Sequence, residues 1–255
     1  MTLGLPVSTM VAFLLVLARV AGVVAFLPVP GFRAAPAPIR AALAMTLAFA
    51  VFPAWPSVPD ALPSFGELVA LAFSEAGFGL AVGLAVAFLM EGFELAAQML
   101  GVQAGYGFAS TIDPNSQADS GVLQVMMSLM AGLLFFSTGV DRDVIRVLGV
   151  SLEKFPAGQW APSLQSLDGI VHLGGGMFSI ALRLAMPVMA MLFLLELALA
   201  LLGRMQQQLN LMSLSFPLKM LAALALLVAL TPVMARLFEG AASRTISALW
   251  GLGSG

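Results

Sequence analysis

Long apolar runs alternate along the chain with short polar, glycine-bearing or proline-rich breaks, and the runs have the length of helices. About six can be drawn. The first covers 7–27, after which Pro28, Pro30, Pro36 and Pro38 are expected to forbid continuous helix up to Arg40, because proline lacks the N–H a helix interior needs. The second, 41–52, stops at a turn containing Pro53, Pro56, Pro59 and Pro63. The third begins near Phe65, where Ser64 and Glu67 have the spacing of a capping box, and continues to about Leu100. A glycine-bearing loop over 101–120 leads to the fourth, 121–140, and 141–173 is the most polar connection in the chain. The fifth and sixth cover 174–202 and 216–237. These runs predict an all-α protein, a single unit over 1–255 built from kinked, hydrophobic helical hairpins.

Their lengths do not suit a plain bundle of membrane-crossing helices. Twelve residues at about 1.5 Å each give the second run only ~18 Å, against the ~30 Å of hydrocarbon that a crossing must span. The third has the opposite problem, since it runs for some 35 residues and holds Glu75, Glu91 and Glu94. The fifth carries Arg183, Pro187 and Glu196, a pattern expected of a helix kinked at the proline and packed against neighbours. The N-terminal apolar stretch lacks a preceding basic region and continues past Arg19, so it is expected to be a retained helix and not a secretory signal. The terminal Gly-Leu-Gly-Ser-Gly reads as a frayed tail.

Composition explains the pattern. Of 255 residues, 60% are hydrophobic and 9% charged, with a mean hydropathy of +1.02, whereas a soluble domain has roughly 25% charged residues. Water is not the main solvent of this chain, and membrane lipid is an expected one. A net charge of -2, with no basic patch, gives no reason to expect a nucleic-acid partner. The absence of cysteine removes disulfides, thiolate metal sites and cysteine nucleophiles. Lysines and arginines divide almost evenly between the two sets of connections, so charge bias selects no orientation, and much of the chain is expected to be held by partner proteins.

Candidate chemistry is sparse. His172, the one histidine, precedes Gly174–Gly176 and reads as part of a helix start and a flexible hinge. No metalloprotease, phosphate-cradle or nucleophile-elbow motif is present, so neither enzyme activity nor a cofactor is expected. Arg19, Glu75, Glu91, Glu94, Arg183 and Glu196 fall inside apolar runs, where a charge left in lipid costs at least ~2.5 kcal/mol. They need partners or water. Structural salt bridging fits them, as does a proton or ion relay of a secondary transporter, although no inverted repeat supports the latter. Methionine runs such as Met126, Met127 and Met130 suit core filling, or a lining that yields when something passes.

The loop Gly-Val-Gln-Ala-Gly-Tyr-Gly-Phe-Ala-Ser-Thr-Ile-Asp-Pro, 101–114, places Tyr106 and Phe108 between glycines and ends in a turn-forming Asp113-Pro114. A movable loop with bulky stoppers suits a plug. This stretch resembles the corresponding segment of the FliR/SctT family of flagellar and injectisome export proteins. The Pro-Gly-Phe-Arg and Pro-Ala-Pro-Ile-Arg that follow Arg19 resemble that family's first hairpin. The stretch from Gly203-Arg204 through Gln208-Leu209-Asn210 to Phe216-Pro217-Leu218-Lys219 resembles its C-terminal signature. Departures are local. Gly139-Val140 stands where a Gly-His pair is expected, and Gln207-Gln208 where proline commonly precedes Gln-Leu-Asn.

The resemblance implies a non-enzymatic subunit of a type III protein-export gate at the bacterial inner membrane, in the basal body of a flagellum or injectisome. It implies one copy of this chain assembled helically with several FliP-like and FliQ-like subunits. A FlhB-like gate protein attaches to that assembly, and unfolded export substrates pass through it. The assembly is expected to sit largely above the membrane plane. By position, 106–120 matches the plug, and the gating residues implied are Gly105 just before it and Tyr106, Gly107, Phe108, Ile112, Asp113 and Pro114 within it.

Overall fold

A computed structural model describes residues 6–27, 35–56, 63–106, 121–154, 158, 160, 163–205 and 211–251, and within them the regular structure is entirely helical. In chain order the helices are α1 (Val7–Ala25), α2 (Ala37–Ala50), a short 3-10 turn (Phe52–Ala54), α3 (Phe65–Ala104), α4 (Val122–Ser137), α5 (Val140–Lys154), α6 (Leu164–Met205) and α7 (Leu211–Gly251). The protein is all-α.

Helix starts follow local chemistry. At α3 the capping box forms: the Ser64 N–H donates to Glu67 Oε2 at 2.7 Å and the Glu67 N–H donates to Ser64 Oγ at 3.4 Å. Helix α2 begins at Ala37, earlier than the prolines were expected to allow, because Pro36 is its N-cap and Pro38 lies in its first turn. There an N–H has no helical acceptor to lose. Helix α6 begins ten residues before the expected 174, since Ser163 Oγ accepts from the Ser166 N–H at 3.0 Å and caps the first turn. Gly174–Gly176 therefore lie within continuous helix, and so does His172, whose Nδ1 is 3.3 Å from Asp168 one turn back. Within the polar 141–173, α5 is amphipathic, burying Val144, Val147, Leu148, Ser151 and Leu152 and turning Arg142 and Arg146 outward.

Among the described residues four helices, α1, α3, α6 and α7, are long and apolar enough to cross a bilayer, and a fifth span is present if α4 and α5 together make one. Helix α2, at 14 residues, is too short to do so unaided. The chain is a membrane protein of several helices.

Two compact units divide the fold. The first comprises Met1–Phe88, Phe135–Gly174 and Ala242–Gly255, and the second comprises Leu89–Leu134 and Gly175–Ala241. In the first, Val16, Val20 and Val24 of α1 pack with Ala44, Ala48 and Val51 around α2, and Leu152 of α5 joins them. Phe13 stacks on Phe49 at 5.0 Å, and the Trp55 indole N–H donates to the Ala48 carbonyl at 2.9 Å. Helices α1 and α3 cross almost backbone to backbone. A Cβ on Gly22 would stand 2.6 Å from the Ala76 carbonyl oxygen, and one on Gly79 would overlap the Arg19 carbonyl. In the second unit, Phe93 of α3 meets Phe238 of α7 with ring centroids 5.6 Å apart, both fully buried.

Candidate functional site

The α1–α3 crossing sets Arg19 directly beside α3. Its guanidinium grips Glu75 with two bonds, Nε donating to Oε2 at 2.5 Å and Nη2 to Oε1 at 3.0 Å, at side-chain exposures of 0% and 1%. Both side chains have further partners. Nη1 donates to Ser151 Oγ on α5 at 3.0 Å, and that hydroxyl donates to the Leu148 carbonyl at 2.7 Å. Glu75 Oε1 also accepts the Gly158 N–H at 2.8 Å. Phe78 lies under the guanidinium at 4.8 Å, and Trp160 meets Phe78 edge-on at 5.7 Å while its carbonyl accepts from the Ser74 hydroxyl. A bidentate pair with a further hydrogen bond at each end holds two charges in an apolar interior at tolerable cost. It joins α1, α3 and α5 to Gly158 and Trp160, and it is buried away from any substrate.

A second constellation lies in the other unit, at the end of α3. The helix closes in a Schellman motif: the Gly105 N–H donates to the Val102 carbonyl at 3.2 Å and the Tyr106 N–H donates to the Gly101 carbonyl at 3.0 Å. Gly105 has φ +83°, and a Cβ there would stand 2.8 Å from the Phe216 ring of α7, so both the backbone and the neighbour require glycine. The motif aims Tyr106 at α7, where its hydroxyl donates to the Met220 carbonyl at 3.4 Å. Burial raises the Tyr106 phenol above its ordinary pKa. Nearby, Lys219 of α7 pairs with Glu196 of α6 at 3.1 Å, at side-chain exposures of 12% and 51%.

The sequence-selected residues therefore divide. Arg19 and Glu75 come together as a buried pair. Glu91 and Glu94 are half-buried on α3. Arg183 and Glu196 are inside apolar α6 by sequence but on its exposed surface, because the buried stripe of that helix runs through Ile180, Leu184, Val188 and Leu192. Of the C-terminal signature, Arg204 is exposed at the end of α6, Pro217 is in the early part of α7 and Lys219 carries the pair with Glu196. Gly107, Phe108, Ile112, Asp113, Pro114, Gln208 and Asn210 lie outside the described residues. Ser151, Gly158 and Trp160 were not singled out by sequence. Ser151 carried a signal, since it stands three and seven residues after Leu148 and Val144 on the apolar stripe of α5.

Fold and sites together define a helical membrane protein in which Arg19–Glu75 and Lys219–Glu196 each join two helices, and among the described residues no group of His, Asp and Glu is placed to hold a metal. The family described as bacterial export proteins, family 1, matches residues 10–245, and the chain belongs to that family. Among its relatives, the flagellar biosynthetic protein FliR of Escherichia coli K12 is 30% identical over 223 residues, covering 88% of this chain and 85% of the relative. The FliR of Bacillus subtilis 168 is 29% identical over 244 residues, with 93% of each chain covered. The Yop proteins translocation protein T of Yersinia pestis is 27% identical over 192 residues, with 74% of each covered. The chain is thus a membrane component of a bacterial protein-export system.

Proposed function

We propose that this chain is a non-enzymatic subunit of the type III export gate of the flagellar system, located in the bacterial inner membrane at the basal body. One copy assembles with FliP-like and FliQ-like subunits into a closable portal for unfolded export substrates, and a FlhB-like gate protein attaches to it. The observation that carries the gating part is the end of α3. A Schellman turn at Gly105, fitted against Phe216, directs the chain into the glycine- and aromatic-bearing stretch that follows, and Tyr106 tethers that turn to α7. A rigid base of this kind gives a plug a fixed hinge.

In this reading Tyr106 at the base and Phe108 beyond it obstruct the path, Gly107 lets the loop move past the turn set by Gly105, Ile112 adds apolar bulk, and Asp113-Pro114 fixes the exit. Deleting residues 108–112 in the assembled apparatus is expected to make the resting membrane leak small ions and molecules, measured as dye or ion flux in cells. Unchanged permeability together with unchanged secretion would remove the plug assignment. The alternative, a proton-coupled transporter acting through buried carboxylates, is not favoured: Glu75, the most buried carboxylate among the described residues, is paired with Arg19 and also accepts from the Gly158 N–H.

A further inference from the structure

Helix α6 poses a problem that the chain does not solve by itself. Between His172 and Arg204 the only charges are Arg183 and Glu196. A crossing needs about 20 residues, so any crossing placed in that run contains one or both of them, and all but the last possible placement contains Arg183. Glu196 has Lys219 at 3.1 Å. Arg183 lies on the exposed face opposite the buried Leu184 and Val188, with no ion pair to any described residue. Beside it stands Pro187, inside the same helix. Proline has no N–H, so the Arg183 carbonyl four residues back lacks its helical donor.

One spot on an apolar helix therefore presents a guanidinium and a free backbone acceptor. The surrounding surface is apolar or small, with Met186, Ala190 and Leu194 exposed toward the C-terminal side and Ser179 one turn before. Lipid chains offer neither an anion nor a donor, and an arginine facing them is disfavoured.

We propose that the Arg183 face of α6 is an interface for an apolar helix of a different polypeptide, one that carries an aspartate or glutamate aligned with Arg183. Charge complementarity selects this occupant: a carboxylate takes the guanidinium in a bidentate pair, and a hydroxyl or amide on the same helix satisfies the freed carbonyl. Ser179 and Ala190 let a second helix approach closely on either side of the pair. The chain already uses this chemistry internally at Arg19 and Glu75, where a buried arginine of an apolar helix is matched by a carboxylate on a facing helix. The inference rests on the reading of the chain as one subunit of a hetero-oligomeric gate and adds the surface and the chemistry of its partner.

The test uses the full chain in its native membrane with the whole apparatus expressed. A photo-crosslinking amino acid at Ser179 and, separately, at Leu194 is expected to capture the same partner polypeptide at both positions, with the adducts mapped within about one helical turn of an Asp or Glu in an apolar segment. Arg183→Leu is expected to lower recovery of that partner at least tenfold, and Arg183→Lys less. Arg183→Glu combined with replacement of the mapped carboxylate by lysine should restore recovery. Adducts with lipid only, with a second copy of this chain, or with no protein would overturn the proposal, as would wild-type recovery of the partner with Arg183→Leu. If Arg183→Leu does not accumulate, the crosslinks on the Arg183-bearing chain still decide the matter. Failure of the wild-type chain to co-purify with any other hydrophobic subunit would instead remove the hetero-oligomeric reading.

Discussion

At the residue scale, the chain meets the cost of charge buried in its interior by pairing it. Glu75→Gln would leave the Arg19 guanidinium buried without a counter-charge, and about 3–5 kcal/mol of stability should be lost, read as a lowered unfolding temperature in detergent. Replacing Arg19 and Glu75 together by leucine should cost much less, because no lone charge remains. Equal unfolding of Glu75→Gln and wild type would mean that the clasp contributes nothing. Tyr106 makes a pH prediction. Its phenol is held above the ordinary value by burial, so the folded turn keeps its proton where the unfolded chain loses it. The tether is then at full strength below the unfolded pKa of about 10 and is lost as pH rises through the higher folded value. Tyr106→Phe should abolish this alkaline dependence, which tyrosinate absorbance and proteolysis after Gly105 would follow in parallel.

At the element scale, the crossing of α1 and α3 depends on the lack of side chains at Gly22 and Gly79. Gly22→Val would drive atoms into the Ala76 carbonyl and the Leu80 N–H, which are backbone and cannot turn aside. A loss of about 1–3 kcal/mol is expected, with weakened protection of α1 amides from hydrogen exchange. An unchanged exchange pattern would show that the two helices do not cross there. Much at this scale was legible in the sequence. The Ser64–Glu67 box announced the start of α3, and the proline cluster announced a break before α2. The prolines themselves were misleading in position, since Pro36 and Pro38 belong to the start of α2 and do not precede it. Gly174–Gly176 suggested a hinge, yet they are carried inside α6, because a capped start at Ser163 and the apolar run beyond 176 extend helix from both sides. Glycine lowers helix propensity by only about 1 kcal/mol per residue, and packing overrides that.

At the scale of the whole molecule, helices α4 and α6 leave long rows of apolar residues uncovered, among them Val125, Leu129 and Leu133, and Phe193, Leu197 and Leu201. A chain that meets partner subunits on such faces should be more stable in their company. Purified with its co-assembling subunits, it should unfold later than the isolated chain, by about 2.7 kcal/mol of apparent stability when the partner is at a hundredfold its Kd. Identical thermal unfolding of the two preparations would argue that lipid alone covers these faces.

The sequence by itself determined that the chain is helical, that it belongs with lipid and hydrophobic partners, and where α1, α3 and α4 start, because these depend on local periodicity, caps and composition. It also showed which charges needed partners, since a charge inside an apolar run is costly wherever that run goes. Only the tertiary structure decided who the partners are. Arg19 and Glu75 are 56 residues apart, and their union with Ser151 and Gly158 requires α1 and α3 to touch at glycine while α5 folds back over them. Arg183 looked the same as Arg19 in sequence, yet one is sealed in the interior and the other is left on the surface. The difference lies in which side of each helix its neighbours cover, and that is a property of packing, not of the run that carries the charge.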